Sequence, residues 1–392
     1  MSRLFYGLAA LIFGERLLKL LAVQRFFRRS PPPVRPDPGL VSILQPILSG
    51  DPALEPCLER NLAARSRYRR EFIWLIDNDD REAQRICAEL ASRYPGVAIT
   101  IVVLPPPPAE HNPKLAKLIA GISHAQGEVI CVLDDDTMLP DDGLETCLPH
   151  LDQPGVGLAF GLPYYTSFDN VWSSLTACFV NSSSLMTYIP FALCYEPVTI
   201  NGMFYALRRS TLDAIGGFAG LERIVADDFA VAARVRSHGY RLAQTALRHP
   251  IRTTVSGAGH YFSLIQRWLI FPRESLMRHL KPHELMIFYA LVGVPVLFPW
   301  LALVLPSIKP GAAMRRIRMA YFALSYAIFV YHNHAYLNSA VPWRQTLLLP
   351  LVQVILPAQL LAALIAPRRI IWRGHILTID RGGNLRLLKR NA

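Results

Sequence analysis

The sequence predicts an α/β protein: a mostly parallel sheet covered by helices on both faces, set between membrane-seeking segments at the two ends of the chain. Three observations predict it. From about residue 40 to 250, short continuous apolar runs alternate with helix-like stretches, as strands buried on both faces do. Charged residues make up only 18 % of the 392 and hydrophobic residues 52 %, against about 25 % charged in a soluble domain. Long uncharged stretches gather after residue 284.

Taken in order, residues 1–30 read as a membrane anchor or an interfacial helix. The apolar run LFYGLAALIF is interrupted by Glu15, Arg16 and Lys19, whereas a clean spanning helix needs about 20 mostly apolar residues. The charges would snorkel to the headgroups or line the polar face of an amphipathic helix. No small-residue cleavage site follows, so a signal peptide is not expected. Residues 31–39 carry Pro31, Pro32, Pro33, Pro36 and Pro38 and read as a stiff linker. In the main domain, 40–258, strands are expected at 40–47, 71–76, 98–104 and 129–133, with helices near 53–66, 80–93, 114–124 and 141–150. Segment 171–200 reads as core or as the lining of an acyl-chain path. Residues 259–283 form an Arg-studded amphipathic segment. Region 284–366 offers three candidate spans, 286–307, 319–338 and 346–366, and 367–392 is a basic tail. Arg368, Arg369 and Arg373 place that tail on the cytoplasmic side, so the more polar 319–338 is expected to be re-entrant or interfacial.

Composition narrows the partners. None of the six cysteines forms a C-x-x-C pair and no Cys/His cluster has zinc spacing. Nothing calls for an oxidising compartment, and an integral membrane protein with its large domain in the cytoplasm is expected. The formal net charge of +12 suits anionic headgroups, phosphate-bearing substrates or nucleic acid, and charge alone does not choose among them.

The chemistry-bearing residues sit just after strands, where parallel α/β sheets bind ligands. The strand at 71–76 ends in Asp77-Asn78-Asp79-Asp80 and that at 129–133 in Asp134-Asp135-Asp136. Asp79 or Asp80 could simply cap the next helix. Three adjacent carboxylates exceed what a cap needs, and their repulsion would be relieved by a hard divalent cation, Mg²⁺ or Mn²⁺, which keeps open positions for phosphate oxygens. Asp134 and Asp136 are close enough to address one ion. Asp227-Asp228 opens a helix-like run, either as caps or with one carboxylate as a general base for an attacking hydroxyl. In 260–283, Arg267 could neutralise a leaving diphosphate and Trp268 could shape an acceptor entrance.

These motifs together resemble the ceramide glucosyltransferases and their bacterial relatives, which are inverting, membrane-attached glycosyltransferases of the GT-A fold. The resemblance covers roughly residues 40–280 and rests on VSILQPI, LIDNDD, HNPKLAKLI, VICVLDDD, VGLAFGLPYY, VTINGMFYALRRSTLDAIGGF, ADDFAVAARVRSHGYRLA and QRW, with IIWRGHILTIDRGG near the end. It implies that Asp77 and Asp79 lie by the nucleotide and that Lys114 helps hold the donor. Asp134 and Asp136 match the metal-binding D-x-D position. Asp228 matches the catalytic base, with Asp227 before it on the acceptor side. Arg267 and Trp268 match the end of a (Q/R)-x-x-R-W motif whose first position here is Leu264.

The expected reaction is an in-line, inverting transfer of a sugar, glucose as first choice, from a UDP-sugar to a lipid hydroxyl, ceramide as first choice. The expected partners are therefore a UDP-sugar donor, a lipid acceptor and the bilayer, and no nucleic acid. A hopanoid or other lipid acceptor, a processive polysaccharide synthase and a non-catalytic membrane-binding protein are the competing readings.

Overall fold

The computed structural model describes residues 2–34, 39–308, 310–365, 367–372, 375–380 and 383–389. Part of the Pro-rich linker (35–38) and Arg373 therefore lie outside the described residues.

Seven strands form one sheet: β1 (Leu40–Pro46), β2 (Arg69–Asp77), β3 (Ala98–Leu104), β4 (Val129–Leu133), β5 (Val156–Tyr165), β6 (Phe204–Arg208) and β7 (Arg241–Ile251). Their order is β3-β2-β1-β4-β6-β5-β7. The β3-β2-β1-β4 half is wholly parallel. β6 runs antiparallel to both its neighbours, and β5 and β7 are parallel. The four strands expected from sequence all form, and the reversal at β6 makes the sheet mixed.

Side chains alternate across each strand, which explains why unbroken apolar runs were needed. Phe72, Trp74 and Ile76 of β2 and Cys131 and Leu133 of β4 enter one core. Ile73, Leu75, Ile130 and Val132 enter the other. Each such side chain contributes about 1.5–3 kcal/mol by burial.

The first nine helices are α1 (Ser2–Phe27), α2 (Leu54–Ala63), α3 (Arg81–Arg93), α4 (Pro113–Gly121), α5 (Gly143–Cys147), α6 (Val171–Cys194), α7 (Arg209–Ala214), α8 (Asp227–Ser237) and α9 (Ala258–Phe271). Apolar faces of α2, α3 and α5 close the first core, and those of α4, α7 and α8 close the second. Helix α3 starts where it does because Asp80 accepts from Ala83 N at 3.0 Å, so in the first acidic cluster the capping role falls to Asp80.

Two helical segments are long and apolar enough to cross a membrane: α6, with 24 residues, and Pro282–Ile308, with 27. The second contains the expected 286–307, although a π-turn at Tyr289–Gly293 and a 3₁₀ turn at Pro295–Leu297 interrupt it, as a proline inside a helix requires. Of the expected 319–338, residues 319–332 continue a helix over Ala312–His332 whose first turns carry Arg315, Arg316 and Arg318, and a π-turn over Asn333–Leu337 follows. The third candidate forms a 17-residue helix, Leu349–Ile365.

The charges that interrupt α1 meet groups on other helices. Lys19 pairs with Glu15 at 2.7 Å and donates to the Leu291 carbonyl at 2.6 Å. Arg16 donates to the Tyr321 hydroxyl at 3.0 Å. The described residues of the basic tail carry strands β8 (Arg369–Trp372), β9 (His375–Ile379) and β10 (Leu385–Lys389), a small antiparallel sheet in the order β10-β9-β8.

Candidate active site

Residues far apart in sequence converge beyond the carboxyl end of β4. Asp134 follows β4 directly, its backbone N–H donating to the Met203 carbonyl at 2.9 Å. Asn112 caps α4 by accepting from Lys114 N and Leu115 N, which turns the Lys114 side chain toward the sheet edge. There its Nζ lies 2.6 Å from Asp134 Oδ1 and 3.0 Å from Asp227 Oδ2, and donates to the Gly202 carbonyl at 2.6 Å. Burial by itself would lower the Lys114 pKa. Asp134 and Asp227 outweigh it and hold the amine protonated, well above its ordinary range.

Asp227 and Asp228 occupy the first turn of α8, but neither acts as the cap. The N-cap is Ala226, with no side-chain hydrogen bond. The Asp228 carboxylate accepts from Phe229 N at 2.7 Å. Burial, reinforced by the charge of Asp227, pushes its pKa up to about 7, the range in which a general base works best. Phe191 of α6 shares an apolar cluster with Ala226 and Phe229, the residues flanking the Asp227-Asp228 pair, so the pair lies beside the apolar helix.

The other two carboxylates after β4 are also restrained. Asp135 accepts from Leu48 N at 2.7 Å, and Asp136 accepts from the Thr253 and Thr137 hydroxyls. Burial raises all three: Asp134 to about 6 and Asp135 to about 8, with Asp136 adding to both by repulsion, while Asp136 itself rises despite its hydroxyl partners. Half-buried carboxylates in mutual repulsion are the donor set a hard cation suits. Among the described residues no three His, Cys, Asp or Glu side chains form a metal cluster. The chain therefore offers Asp134 and Asp136, and the remaining positions of an Mg²⁺ or Mn²⁺ ion would fall to water and phosphate oxygens, as such ions prefer. The residues present fit the ion on those terms.

The remaining expected site residues are distributed around this centre. Asp77, at the end of β2, is 3 % exposed and pairs with Lys117 at 3.1 Å. Asp79 is exposed at the same edge. Arg267 stands on α9, where the charges of Asp227 and Asp136 reach it, and it forms no ion pair among the described residues. Trp268 packs edge-on against Tyr165 of β5 and lies 6.0 Å from Phe179 of α6, joining three elements at the rim.

Three residues belong to this site that sequence reasoning missed. Lys117 is buried between Asp77 and the Ile47 carbonyl, to which it donates at 2.7 Å. Its spacing of three from Lys114, on one helix face, was the available signal. Gly202 lies where a Cβ would come within 3.3 Å of Asp228 Cβ and 3.4 Å of both Asp227 Oδ2 and Lys114 Nζ, a tight approach that glycine relieves by a few tenths of an ångström. Thr253 holds Asp136, and only the fold brings it there.

A mixed sheet with this order, acidic groups after its second and fourth strands, and a lysine bridging two of the carboxylates define a GT-A-type glycosyltransferase. The chain belongs to glycosyl transferase family 21, whose profile matches residues 4–385. It is similar to ceramide glucosyltransferase 3 of Caenorhabditis elegans, at 22 % identity over 95 % of this chain and 80 % of that protein. Among solved structures it is similar to the mannosyltransferase PcManGT from Pyrobaculum calidifontis in complex with GDP-Man and Mn²⁺, with a TM-score of 0.53, 20 % identity, and coverage of 92 % of this chain and 98 % of that one. At that identity the likeness is one of fold.

Proposed function

We propose that the protein transfers a sugar, glucose as the first choice, from a UDP-sugar to the hydroxyl of a membrane lipid, ceramide as the first choice, with inversion at the anomeric carbon. The observation that carries this reading is the Lys114 ammonium bridging Asp134 and Asp227 beside Asp228. It joins the donor side of the cleft to the acceptor side.

In this mechanism Asp77 and Asp79 flank the nucleoside, and Lys117 holds Asp77 in place. Asp134 and Asp136 would hold an Mg²⁺ or Mn²⁺ ion, which supplies charge neutralisation to the diphosphate when bound. Arg267, a cation without an ion pair among the described residues, is available to a diphosphate oxygen as the sugar bond breaks. Asp228 accepts the proton of the lipid hydroxyl as that oxygen attacks the anomeric carbon, and UDP leaves from the opposite face. One displacement needs one base, and no second carboxylate serves as nucleophile. The apolar α6 beside Asp228 and the Trp268–Tyr165–Phe179 rim would guide an acyl chain toward the base. The docking of the C-terminal sheet against the domain supports a shared, cytoplasmic side for both.

The test is product formation in detergent–lipid micelles from UDP-glucose, UDP-galactose or UDP-GlcNAc with ceramide, diacylglycerol or a hopanoid polyol. A single inverted monoglycosyl lipid is expected, with ceramide and UDP-glucose the best pair. A polymeric product, or transfer that needs no lipid, would contradict the reading.

A further inference from the structure

The segment that carries Asp227 and Asp228 into the site is held from two sides by groups that the transfer chemistry does not use. On one side stands Asn112, 1 % exposed. Besides capping α4, its Nδ2 donates to the carbonyls of Ile224 and Val225 at 3.1 and 3.3 Å, and its N–H donates to Glu222 O at 2.6 Å. One side chain thus sets both the start of the helix bearing Lys114 and the approach to the carboxylates Lys114 pairs with.

On the other side lies the turn of the C-terminal hairpin. Val225 N donates to Gly383 O at 3.1 Å, Leu385 N donates to Arg223 O at 2.7 Å, and Ile224 and Asn384 form an antiparallel bridge. Val225 also packs on a small apolar cluster that contains Ile379 and Leu385. The hairpin is itself fixed. Asp380 accepts from Asn384 N at 2.9 Å. Gly383, at φ +83°, leaves no room for a side chain against Ser275, whose Oγ a Cβ would approach to 2.5 Å. At the base of the small sheet, Arg368 pairs at 2.9 Å with Glu274, a fully buried carboxylate also bound by Arg273 and Arg278. A buried charge held this way is costly to unpair.

We infer that the C-terminal hairpin, through Gly383 and Leu385, works with Asn112 as a clamp that positions the 222–226 segment and so fixes Asp228 for proton abstraction. Gly383, Leu385 and Asn112 are positioning residues; none is placed on substrate. The inference rests on the reading of Asp228 as the base. A displacement of about 1 Å at a reacting group can cost roughly a hundredfold in rate, so a loosened clamp lowers kcat while the donor half of the site, on the β1–β4 edge, keeps its affinity.

The experiment compares Leu385→Pro, which removes the N–H bonded to Arg223, and Gly383→Val, which collides with Ser275, with wild type and Asp228→Asn in the full chain in lipid micelles. Amide hydrogen exchange over 222–229, UDP affinity with Mn²⁺, and kcat against donor KM are measured on the folded fraction. The expected result is faster exchange over 222–229 and a roughly ten- to hundredfold fall in kcat, with UDP affinity and donor KM unchanged within about twofold. Unaltered exchange over 222–229, or wild-type kcat in both variants, would overturn the clamp, as would loss of UDP affinity in step with kcat. Turnover by Asp228→Asn would instead overturn the assignment of the base. The two failures are separable, because hydrogen exchange reports the clamp without activity.

Discussion

The proposed mechanism turns on Asp228 as its base. Burial and the neighbouring Asp227 hold its pKa at about 7, so the carboxylate is mostly protonated below that pH and able to accept a proton above it. The acid limb of kcat/KM, which reports the free enzyme, is therefore expected near pH 7, with activity rising as pH rises. Asp227→Asn removes a repulsion that raises the pKa, so the limb should shift to lower pH whatever happens to the maximal rate. A pH series on the two proteins checks this, and a limb that stays in place or moves upward contradicts it. The aspartates in sequence doublets and triplets could be found by eye, because runs of carboxylates are uncommon and these follow apolar strands. Which member does what was less legible. Asp80 caps α3, Asp135 is spoken for by Leu48 N, and only tertiary contacts separate these from Asp134, Asp136 and Asp228. Gly202 was inside a recognised motif, yet its role is a distance to three side chains from other elements, and no local pattern encodes that.

The elements divide in the same way. Strands β1 to β4 were legible because each is a buried run followed by a helix, a pattern local to the chain. β5, β6 and β7 also carry apolar residues, but their order, with β6 reversed between β4 and β5, depends on pairing across long separations. The tail was read by its charge, and the residues that build its sheet are too few to show a strong alternation. Helix α4 shows how an element does more than cover a core: Lys114 and Lys117 leave one of its faces to meet Asp134, Asp227 and Asp77. Replacing Lys117 by Met removes the buried partner of Asp77 and the donor to Ile47 O. The expected cost is about 3–5 kcal/mol, measured as a lower denaturation midpoint. A change below about 0.5 kcal/mol, the usual range for surface substitutions, would show that the pair does not hold the β1–β2 edge.

At the scale of the whole molecule, a basic, apolar chain carries an acidic centre. The net charge of +12 suits anionic surfaces and phosphate-bearing ligands, and the carboxylates gathered behind β4 and at α8 are where we place the divalent cation and the proton acceptor. The two long apolar helices, α6 and Pro282–Ile308, pack beside the start of α8, where Phe191 of the one and Ile287 and Phe288 of the other join an apolar cluster with Ala226 and Phe229. The N-terminal helix contributes to this body through Arg16 and Lys19, charges that the sequence presented as defects in a membrane anchor and that prove to be contacts with distant helices. The measurement that tests the central claim most directly is UDP release in lipid micelles with a UDP-sugar, comparing wild type with and without EDTA and with Asp228→Asn. Release that requires the lipid, stops with EDTA and falls at least a hundredfold in Asp228→Asn, while Mn²⁺-dependent UDP binding persists, is the result predicted from base catalysis and positioning. Undiminished lipid-dependent release by Asp228→Asn would contradict it.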